Sequence, residues 1–383
     1  MLIEQAVLNR YSTAALQRKE SLCCPVTYDP KYLEIIPREV LDRDYGCGDP
    51  SQYLREGETV LDLGSGGGKI CFIASQVVGP SGRVIGVDMN DEMLALAREA
   101  NSEVSKRLGY ANVEFRKGKI QDLRIDRDML DEWLKGNPVK KESDLVLMES
   151  YIKQIGETSP MISDRSIDVV ISNCVLNLVN HQDKTVLFQE IYRVLKRGGR
   201  AAISDIVSDE RVPLELQKDT ELWSGCISGA LQEHEFIRTF EDAGFYGITI
   251  AKRDERPWRT VQGIEFRSIT VLAYKGKEGP CWDHKEAVVY KGPFHEITDD
   301  DGHRYRRGVR VSVCRKTFNI LRREPYETHF EFIRPQKEVQ EEQAQPFPCT
   351  NEMLVRSPRE TKGEGYSITH EGNSSCCDPG GCY

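Results

Sequence analysis

Short apolar runs alternate with longer stretches of helical periodicity over much of the chain, and this alternation predicts its fold. The apolar runs are nearly continuous, as expected for strands that are buried on both faces of a parallel sheet. Five such strands are predicted, at residues 60–63, 83–88, 113–120, 167–173 and 201–207. The helices between them are predicted at residues 69–78, 91–106 and 184–195. Asp91 is expected to cap the second of these helices. The pattern indicates an α/β fold with helices on both faces of a parallel sheet.

The segments outside this alternation divide the chain into further regions. Residues 1–54 combine a weak helical pattern with an irregular loop rich in Pro, Gly and Asp, and we expect them to join a main domain at residues 55–278. Residues 121–166 form a two-helix insertion, which either decorates the surface or gates the substrate. Residues 279–334 predict a small strand-rich C-terminal domain, which either carries recognition loops or supports the active-site wall. Residues 335–383 are polar and are interpreted as a linker and a flexible, cysteine-containing tail.

Composition and charge exclude several classes of function. The chain has 383 residues, of which 39% are hydrophobic and 30% charged, as is typical of a soluble protein. Its net charge of −9, without a basic stripe, argues against nucleic acid as a partner. No apolar run reaches the roughly 18 residues that a membrane span needs, and no signal peptide is evident. We therefore expect a cytoplasmic monomer, whose twelve cysteines bind metal, act in catalysis or are buried rather than forming a disulfide framework.

A glycine-rich loop follows the first predicted strand and opens the first helix. Its sequence from Asp62 is Asp-Leu-Gly-Ser-Gly-Gly-Gly, which allows a tight turn and close approach of a ligand to the backbone. Asp88 ends the second strand, where a carboxylate can accept hydrogen bonds from ribose hydroxyls. A dinucleotide signature starting at Gly64 would need glycine where Lys69 stands. The loop therefore indicates an adenosine-containing cofactor other than a dinucleotide.

Four cysteines surround this loop in the sequence and indicate a soft, thiophilic substrate. Cys174 directly follows the fourth strand, and Cys71 lies in the first turn after the glycine loop, where the helix dipole favours a thiolate. Cys226 lies in a segment that can fold back over the sheet edge, and Cys47 has a glycine on either side. Two alternatives remain open. Each cysteine can be a small buried hydrophobe, or the set can bind zinc, although these four include no Cys-x-x-Cys pair.

Four segments carry a resemblance to a known family. They are residues 45–49 (Tyr-Gly-Cys-Gly-Asp), 62–68, 172–178 (Ser-Asn-Cys-Val-Leu-Asn-Leu) and 222–226 (Leu-Trp-Ser-Gly-Cys). Together they resemble the arsenite S-adenosylmethionine methyltransferases, and the resemblance spans about residues 22–330. It implies a Rossmann-like class I methyltransferase domain that binds S-adenosylmethionine. The cofactor-binding residues that it implies are Asp62, Gly64, Gly66, Gly68, Asp88, Ile120, Gln121 and Asn173.

The resemblance also implies roles for these residues. Asp62 would face the methionine amino group of the cofactor, Ile120 and Gln121 would lie beside adenine, and Asn173 would lie near the methionine moiety. Gly225 departs from the expected pattern, because we expect an acidic residue immediately before the fourth cysteine.

The resemblance further implies catalysis by Cys47, Cys71, Cys174 and Cys226. Trivalent arsenic would be bound by Cys174 and Cys226, with Cys71 either as a third thiolate or as the partner of Cys47 in a transient disulfide. A thiol reductant such as glutathione or thioredoxin would then reset the enzyme. The implied function is methylation of arsenite and methylarsenite in arsenic detoxification.

Two other functions stay open at this point. A methyltransferase acting on a carbon or oxygen nucleophile would need a base, for which His181 and His234 are candidates. A non-enzymatic metalloid-binding protein would keep the thiols but not use the cofactor loop. The tail cysteines either scavenge arsenic for delivery or are passive; they are Cys376, Cys377 and Cys382.

Overall fold

The protein consists of two compact units in the computed structural model. These units are Met1–Gly276 and Lys277–Tyr383. The structure describes residues 3–17, 26–350, 352–363 and 366. Within that part of the chain, no helix is both long and apolar enough to cross a membrane. The tail cysteines and the interpretation given to them lie outside the described residues.

A mixed sheet forms the centre of the first unit. Its strands are β1 (Thr59–Leu63), β2 (Arg83–Asp88), β3 (Val113–Lys117), β4 (Ile167–Asn173), β5 (Leu195–Ser208), β6 (Tyr246–Arg253), β7 (Arg259–Val261) and β8 (Ile264–Tyr274). The strand order is β3-β2-β1-β4-β5-β8-β6, and β7 pairs with β8. The first five strands are parallel, as predicted, whereas β8 runs antiparallel to β5, β6 and β7. The carboxyl ends of β1, β2 and β4 therefore meet at one edge, where open α/β sheets bind ligands.

Helices surround this sheet. They are α1 (Ile3–Leu16), α2 (Pro30–Leu33), α3 (Arg38–Asp42), α4 (Lys69–Val78), α5 (Asp91–Leu108), α6 (Arg127–Gly136), α7 (Glu142–Thr158), α8 (His181–Val194), α9 (Leu214–Gln217), α10 (Thr220–Ser224) and α11 (Glu233–Asp242). The predicted cap of α5 is wrong by one residue. Asn90, not Asp91, is the N-cap, because the Asn90 side-chain oxygen accepts a hydrogen bond from the Met93 amide at 2.9 Å.

The alternation of side chains along the strands produces two cores, one on each face of the sheet. Leu61 belongs to the core that includes Phe188 of α8 and Phe236 of α11. Its neighbour Val60 belongs to the opposite core, together with Phe72 of α4. Successive strand residues point to opposite faces, so a strand with apolar residues at consecutive positions must be covered on both sides. The predicted two-sided covering is confirmed.

The second unit is strand-rich, as predicted. Its strands are β9 (Trp282–Asp283), β10 (Ala287–Tyr290), β11 (Glu296–Thr298), β12 (Arg304–Arg306), β13 (Arg310–Ser312), β14 (Phe330–Ile333) and β15 (Gln345–Pro346). They form a three-stranded sheet, β13-β10-β14, and two strand pairs, β11-β12 and β15-β9. Helix α12 (Arg315–Leu321) packs Phe318 into a core with Val288 and Tyr305, and α13 (Pro358–Lys362) follows near the end of the described chain.

The second unit also contains much of the segment that the sequence predicted to be a linker. Strand β15 pairs with β9, and the Ser312 amide donates to the Leu354 carbonyl at 2.7 Å. The buried Arg356 side chain forms an ion pair with Asp283 at 2.6 Å. These contacts rest on backbone pairing and on one charged pair rather than on an apolar run. The hydrophobic pattern of residues 335–362 therefore gave no sign of them.

Candidate active site

A cleft lies at the carboxyl edge of the parallel strands in the first unit. It contains about 1130 Å³ of empty space, part of it open to solvent. Most of the cofactor-binding residues implied by the sequence line it, together with one of the four cysteines. These residues are Asp62, Gly64, Gly66, Asp88, Ile120, Gln121, Asn173 and Cys174. The fold thus brings together residues from the ends of β1, β2 and β4 and from the loops that follow β1, β3 and β4.

The glycines of the loop have different roles. Gly64 and Gly68 have positive φ angles of 72° and 89°, and a Cβ at either would collide, with Val175 and Phe115 respectively. These two glycines permit the turn and its packing. Gly66 also has a positive φ, but a Cβ there meets no atom within 4 Å. Gly66 therefore leaves open space in the lining of the cleft, whereas Gly68 does not line it.

Asp88 is held rigidly beside this loop. Its carboxylate accepts hydrogen bonds from the Gly66 amide at 2.8 Å and from the Asn90 amide at 2.9 Å. Burial raises the pKa of Asp88, and these backbone hydrogen bonds oppose that effect. A carboxylate has about four acceptor positions, so Asp88 keeps capacity for hydroxyl donors such as those of a ribose.

Asp62 makes the inner end of the cleft favourable for a cation. Burial raises its pKa to about 7, and the neighbouring carboxylates of Asp88 and Asp44 act in the same direction, while a hydrogen bond from Cys71 opposes it. Of these carboxylates, Asp44 is paired with Lys69 at 2.8 Å. A buried carboxylate with a raised pKa gains stability when an ammonium group approaches it. The carboxylates and the open glycine cradle thus fit a positively charged, adenosine-containing cofactor.

The Asn173 side chain fastens the Cys47 loop to the end of β4. Its oxygen accepts from the amides of Cys47 and Gly48 at 2.9 and 3.0 Å. Its nitrogen donates to the Gly48 carbonyl at 2.7 Å and to the Tyr28 hydroxyl at 3.3 Å. All four hydrogen-bonding positions of the amide are used in this way. Asn173 lines the cleft and its amide positions the Cys47 loop, and its place near the methionine moiety of the cofactor stays a prediction.

Three of the four cysteines come together beside the cleft. The Sγ atoms of Cys47 and Cys174 and a carboxylate oxygen of Asp205 all lie within 4.8 Å of one another. The Cys226 thiol donates to the Cys174 carbonyl at 3.1 Å. All three cysteines are buried and share one hydrophobic cluster. Residues far apart in the chain thus form one buried group of thiols beside the cleft, of which Cys174 lines the cleft itself.

The backbone is strained at both predicted arsenic ligands. Cys174 and Cys226 have φ angles of 65° and 61°. This left-handed region is uncommon for residues with a Cβ and costs on the order of 1–3 kcal/mol at each position. Asp205 holds the segment after Cys174 in place, because its carboxylate accepts from the Leu176 amide at 2.8 Å. Cysteine is not a usual left-handed residue, so the sequence carried no signal for this strain.

Cys71 does not join this group, and its predicted reactivity requires correction. Its side chain is fully buried in the core that contains Val60 and Phe72, on one face of the sheet. The thiol donates to the Asp62 carboxylate at 3.2 Å. Burial and the charge of Asp62 raise the pKa of Cys71, which outweighs the helix dipole that we expected to favour a thiolate. Cys71 is therefore a neutral donor to Asp62 and is not a member of the group formed by Cys47, Cys174 and Asp205.

Helix α1 contributes a wall of the cleft that the sequence did not predict. Four of its residues line the cleft: Glu4, Val7, Leu8 and Tyr11. The Tyr11 hydroxyl lies 3.8 Å from the Cys226 Sγ atom. Arg10 anchors the helix by donating to the Glu221 carbonyl at 2.8 Å and to the Ser224 hydroxyl at 3.1 Å. The weak helical pattern of this segment predicted a helix but not that the helix lines the cleft.

The histidines and the insertion lie away from the cleft. His181 and His234 are absent from its described lining, and the insertion contributes only Gln121. Burial lowers the pKa of His181 to about 4, so this ring is neutral at physiological pH. These placements favour surface decoration over substrate gating for α6 and α7, which stack Trp133 on Tyr151 with ring centroids 4.7 Å apart.

Comparisons with known proteins identify the family. A methyltransferase domain model matches residues 54–244, and a "Domain of unknown function (DUF8838)" model matches residues 277–366. An arsenite methyltransferase from Aquipseudomonas alcaligenes is 33% identical, over 82% of this chain and 85% of that protein. The chain belongs to the arsenite methyltransferase family. The arsenite methyltransferase of Homo sapiens is 30% identical, over 79% of this chain and 74% of that protein.

A solved structure supports the same family. An arsenic (III) S-adenosylmethionine methyltransferase from Chlamydomonas reinhardtii superposes with a TM-score of 0.55 and 28% identity, covering 82% of this chain and 99% of that one. The predicted Rossmann-like class I methyltransferase fold is thus confirmed, and so is S-adenosylmethionine as the cofactor of this arsenite methyltransferase family member. The residue roles within the cleft remain predictions.

We expect the affinity for S-adenosylmethionine to rise with pH between about 6 and 8. Asp62, whose pKa is raised to about 7, must be ionised to attract the cofactor ammonium, and binding should therefore release protons near neutral pH. Asp62→Asn should bind about tenfold more weakly, equivalent to about 1.4 kcal/mol, and lose this pH dependence. Isothermal titration calorimetry in two buffers of different ionisation enthalpy measures both effects. Asp242→Asn, at the exposed end of α11, is the matched control. An unchanged pH profile in Asp62→Asn contradicts the prediction.

We also expect Asn173→Ala to release the Cys47 loop. Alkylation of Cys47 by iodoacetamide, followed by peptide mass spectrometry, should become about tenfold faster because the loop loses three hydrogen bonds to Asn173. Gly46→Ala should do the same independently, since its Cβ would collide with the Asn173 amide. Asn137→Ala, in the insertion, serves as control. If Cys47 is alkylated no faster in Asn173→Ala and Gly46→Ala than in the wild-type protein, Asn173 does not hold the Cys47 loop in place.

Proposed function

We propose that this protein transfers methyl groups from S-adenosylmethionine to trivalent arsenic held by the thiolates of Cys174 and Cys226. The proposal rests on the contact between these two residues, in which the Cys226 thiol lies 3.1 Å from the Cys174 carbonyl. Arsenite and methylarsenite are the proposed substrates, and detoxification of arsenic is the proposed role. The curated relatives named above are arsenite methyltransferases, which supports the same substrate class.

The chemistry of the two thiols suits this substrate. Trivalent arsenic is soft and exchanges its hydroxyl groups for sulfur, by the softness that also governs metal–thiolate bonding. Two fixed sulfurs would orient the arsenic and leave its lone pair pointing away from them. Cys174 lines the same cleft as Asp62 and Gly66, so arsenic bound there would border the cofactor space. Alignment of this kind can supply several kcal/mol of barrier reduction.

The reaction makes few further demands on the protein. S-adenosylmethionine, when bound, supplies an electrophilic methyl group on a sulfonium. The carboxylates of Asp62 and Asp88 would hold the cofactor, and the thiolates would hold the nucleophile. Arsenic has no proton to lose, so no general base is required. Consistent with this, the described lining of the cleft includes no histidine. A carbon or oxygen nucleophile would need a base, and the carboxylates of the described lining are already engaged. Glu4 is paired with Lys119 and Asp44 with Lys69. Asp62 and Asp88 accept the hydrogen bonds described above. That alternative is therefore less suited to the site.

For the reducing step, the geometry favours Cys47 with Cys174 over Cys47 with Cys71, the pair that the resemblance implied. Methyl transfer leaves arsenic formally pentavalent, and two electrons must return it to the trivalent state. Cys47 Sγ lies within 4.8 Å of Cys174 Sγ, whereas the Cys71 thiol donates a hydrogen bond to Asp62. The Cys47 thiolate would attack the Cys174 sulfur, forming an S–S bond while the As–S electron pair remains on arsenic. We therefore propose a Cys47–Cys174 disulfide.

A thiol reductant must then open this disulfide. Glutathione or thioredoxin would supply two electrons and two protons by thiol–disulfide exchange. We place the reaction in the cytoplasm, where such reductants keep thiols reduced. All the proposed ligands belong to one chain, so the proposal needs no partner subunit.

We expect Cys174→Ser and Cys226→Ser each to lower the methylation rate of arsenite by at least about 100-fold, because a serine hydroxyl does not bind arsenic as a thiolate does. Incubation with arsenite, S-adenosylmethionine and thiol, followed by speciation of the products, measures the rate. Retained affinity of Cys226→Ser for S-adenosylmethionine is the control for folding, since Cys226 does not line the cleft. Full methylation by both variants overturns the proposal.

A single turnover without added reductant tests the thiol pair. Quenching with N-ethylmaleimide and peptide mapping should show Cys47 linked to Cys174, and Cys71→Ser should give the same product in similar yield. Recovery of a Cys47–Cys71 crosslink instead would contradict the proposed pair and restore the one that the resemblance implied.

A further inference from the structure

The second unit contains a separate cluster of three cysteines. The Sγ atoms of Cys281, Cys314 and Cys349 all lie within 4.8 Å of one another. They come from three different segments of the unit, before β9, before α12 and after β15. Among the described residues of this cluster, no histidine, aspartate or glutamate supplies a further ligand atom within that distance. The methyl-transfer chemistry proposed above uses none of these thiols.

The fold of the unit produces this cluster. Strands β9 and β15 pair antiparallel, and the pairing continues where the Phe347 amide donates to the Cys281 carbonyl at 2.8 Å. The Cys349 amide then donates to the Phe347 carbonyl at 3.0 Å, which turns Cys349 back towards Cys281. Cys314 is the N-cap of α12 and accepts from the Thr317 amide at 3.4 Å. Two backbone connections and a helix cap thus fix the three thiols.

The cluster is also accessible and close to positive charge. Cys314 is buried, Cys281 is half-buried and Cys349 is exposed, so one side of the group faces solvent. The Cys281 thiol is in hydrogen-bonding contact with both other thiols and with the Lys316 ammonium. A cation beside a thiol favours the thiolate, which is the form that binds soft elements. A small ligand can therefore reach the group from the Cys349 side.

We propose that Cys281, Cys314 and Cys349 form a second binding site, which holds one trivalent arsenic atom outside the methyl-transfer site. Arsenite binds by exchange, in which three As–O bonds break and three As–S bonds form. The three thiol protons leave with the three hydroxyl groups as water. The oxidation state of arsenic does not change, so no oxidant or reductant is needed.

The number and spacing of the ligands favour arsenic over zinc. A structural zinc site is almost always tetrahedral with four protein ligands, and this cluster offers three. Trivalent arsenic forms three bonds and its lone pair occupies the fourth direction, so three sulfurs complete its coordination. With bonds of about 2.3 Å, as in zinc–thiolate sites, the sulfurs would lie about 3.8 Å apart. The thiols need to move by only about 1 Å or less to reach that spacing.

The test uses the full-length chain without the two cysteines of the proposed methyl-transfer site and without the cysteines that lie outside the described residues. The background variant carries serine at Cys23, Cys24, Cys174, Cys226, Cys376, Cys377 and Cys382, and keeps the second-unit cluster. The reduced protein is equilibrated with sodium arsenite, without S-adenosylmethionine, and bound arsenic is measured by elemental mass spectrometry. One equivalent should bind, and X-ray absorption should show three sulfur neighbours. Adding Cys349→Ser, an exposed position with little effect on folding, should weaken binding at least tenfold.

Adding Cys47→Ser to the same background is the matched control and should leave binding unchanged. Three results overturn the proposal: no arsenic bound by the background variant, equal binding after Cys349→Ser, or zinc that copurifies in the cluster and is not displaced by arsenite. Because this assay contains no cofactor and lacks Cys174 and Cys226, its failure is distinguishable from a failure of the proposed methylation.

Discussion

The end of strand β4 is the point on which the site depends. Asn173, its last residue, binds the Cys47 loop through three hydrogen bonds, and the next residue, Cys174, adopts a left-handed backbone. One short segment therefore fixes two cysteines that are distant in sequence. The strain at Cys174 persists because the surrounding contacts over-determine it, including the bond from the Leu176 amide to Asp205. The thiols are held in place before any ligand arrives.

The carboxylates and the thiols divide the cleft between two kinds of chemistry. Asp62 and Asp88 offer hard carboxylate oxygens that suit a cationic cofactor, and Asp88 is fixed by backbone amides. Cys174 and Cys226 are soft groups that suit arsenic. Cys71 is a cysteine but belongs with the carboxylates, because its thiol donates a hydrogen bond to Asp62. Residue type alone therefore does not define the reactive set.

The sequence predicted the part of the molecule that depends on local pattern. The limits of α4, β2 and β4 match because apolar runs and the glycine loop determine them. The position of Cys174 at the sheet edge follows from the same pattern. Contacts between distant segments could not be predicted in this way. Three features depend on tertiary packing: the hydrogen bonds of Asn173 to the Cys47 loop, the cleft lining provided by α1, and the hydrogen bond from Cys71 to Asp62. Hydrophobic periodicity does not encode such packing.

Charge balance explains why a buried group of thiols suits arsenite. Burying a charged ion costs several kcal/mol unless it is paired. Exchange of hydroxyl for thiol at arsenic releases water and leaves no net charge, so the buried wall formed by Cys174 and Cys226 need not gain a counter-ion. The charge already present is compensated, because the buried Lys184 lies near both Asp205 and Cys226, and burial lowers its pKa to about 8. Arsenite enters this group of thiols as a neutral molecule, whereas a divalent cation must give up its hydration to enter a buried environment. Entry into this buried group should therefore cost less free energy for arsenite than for a free divalent cation.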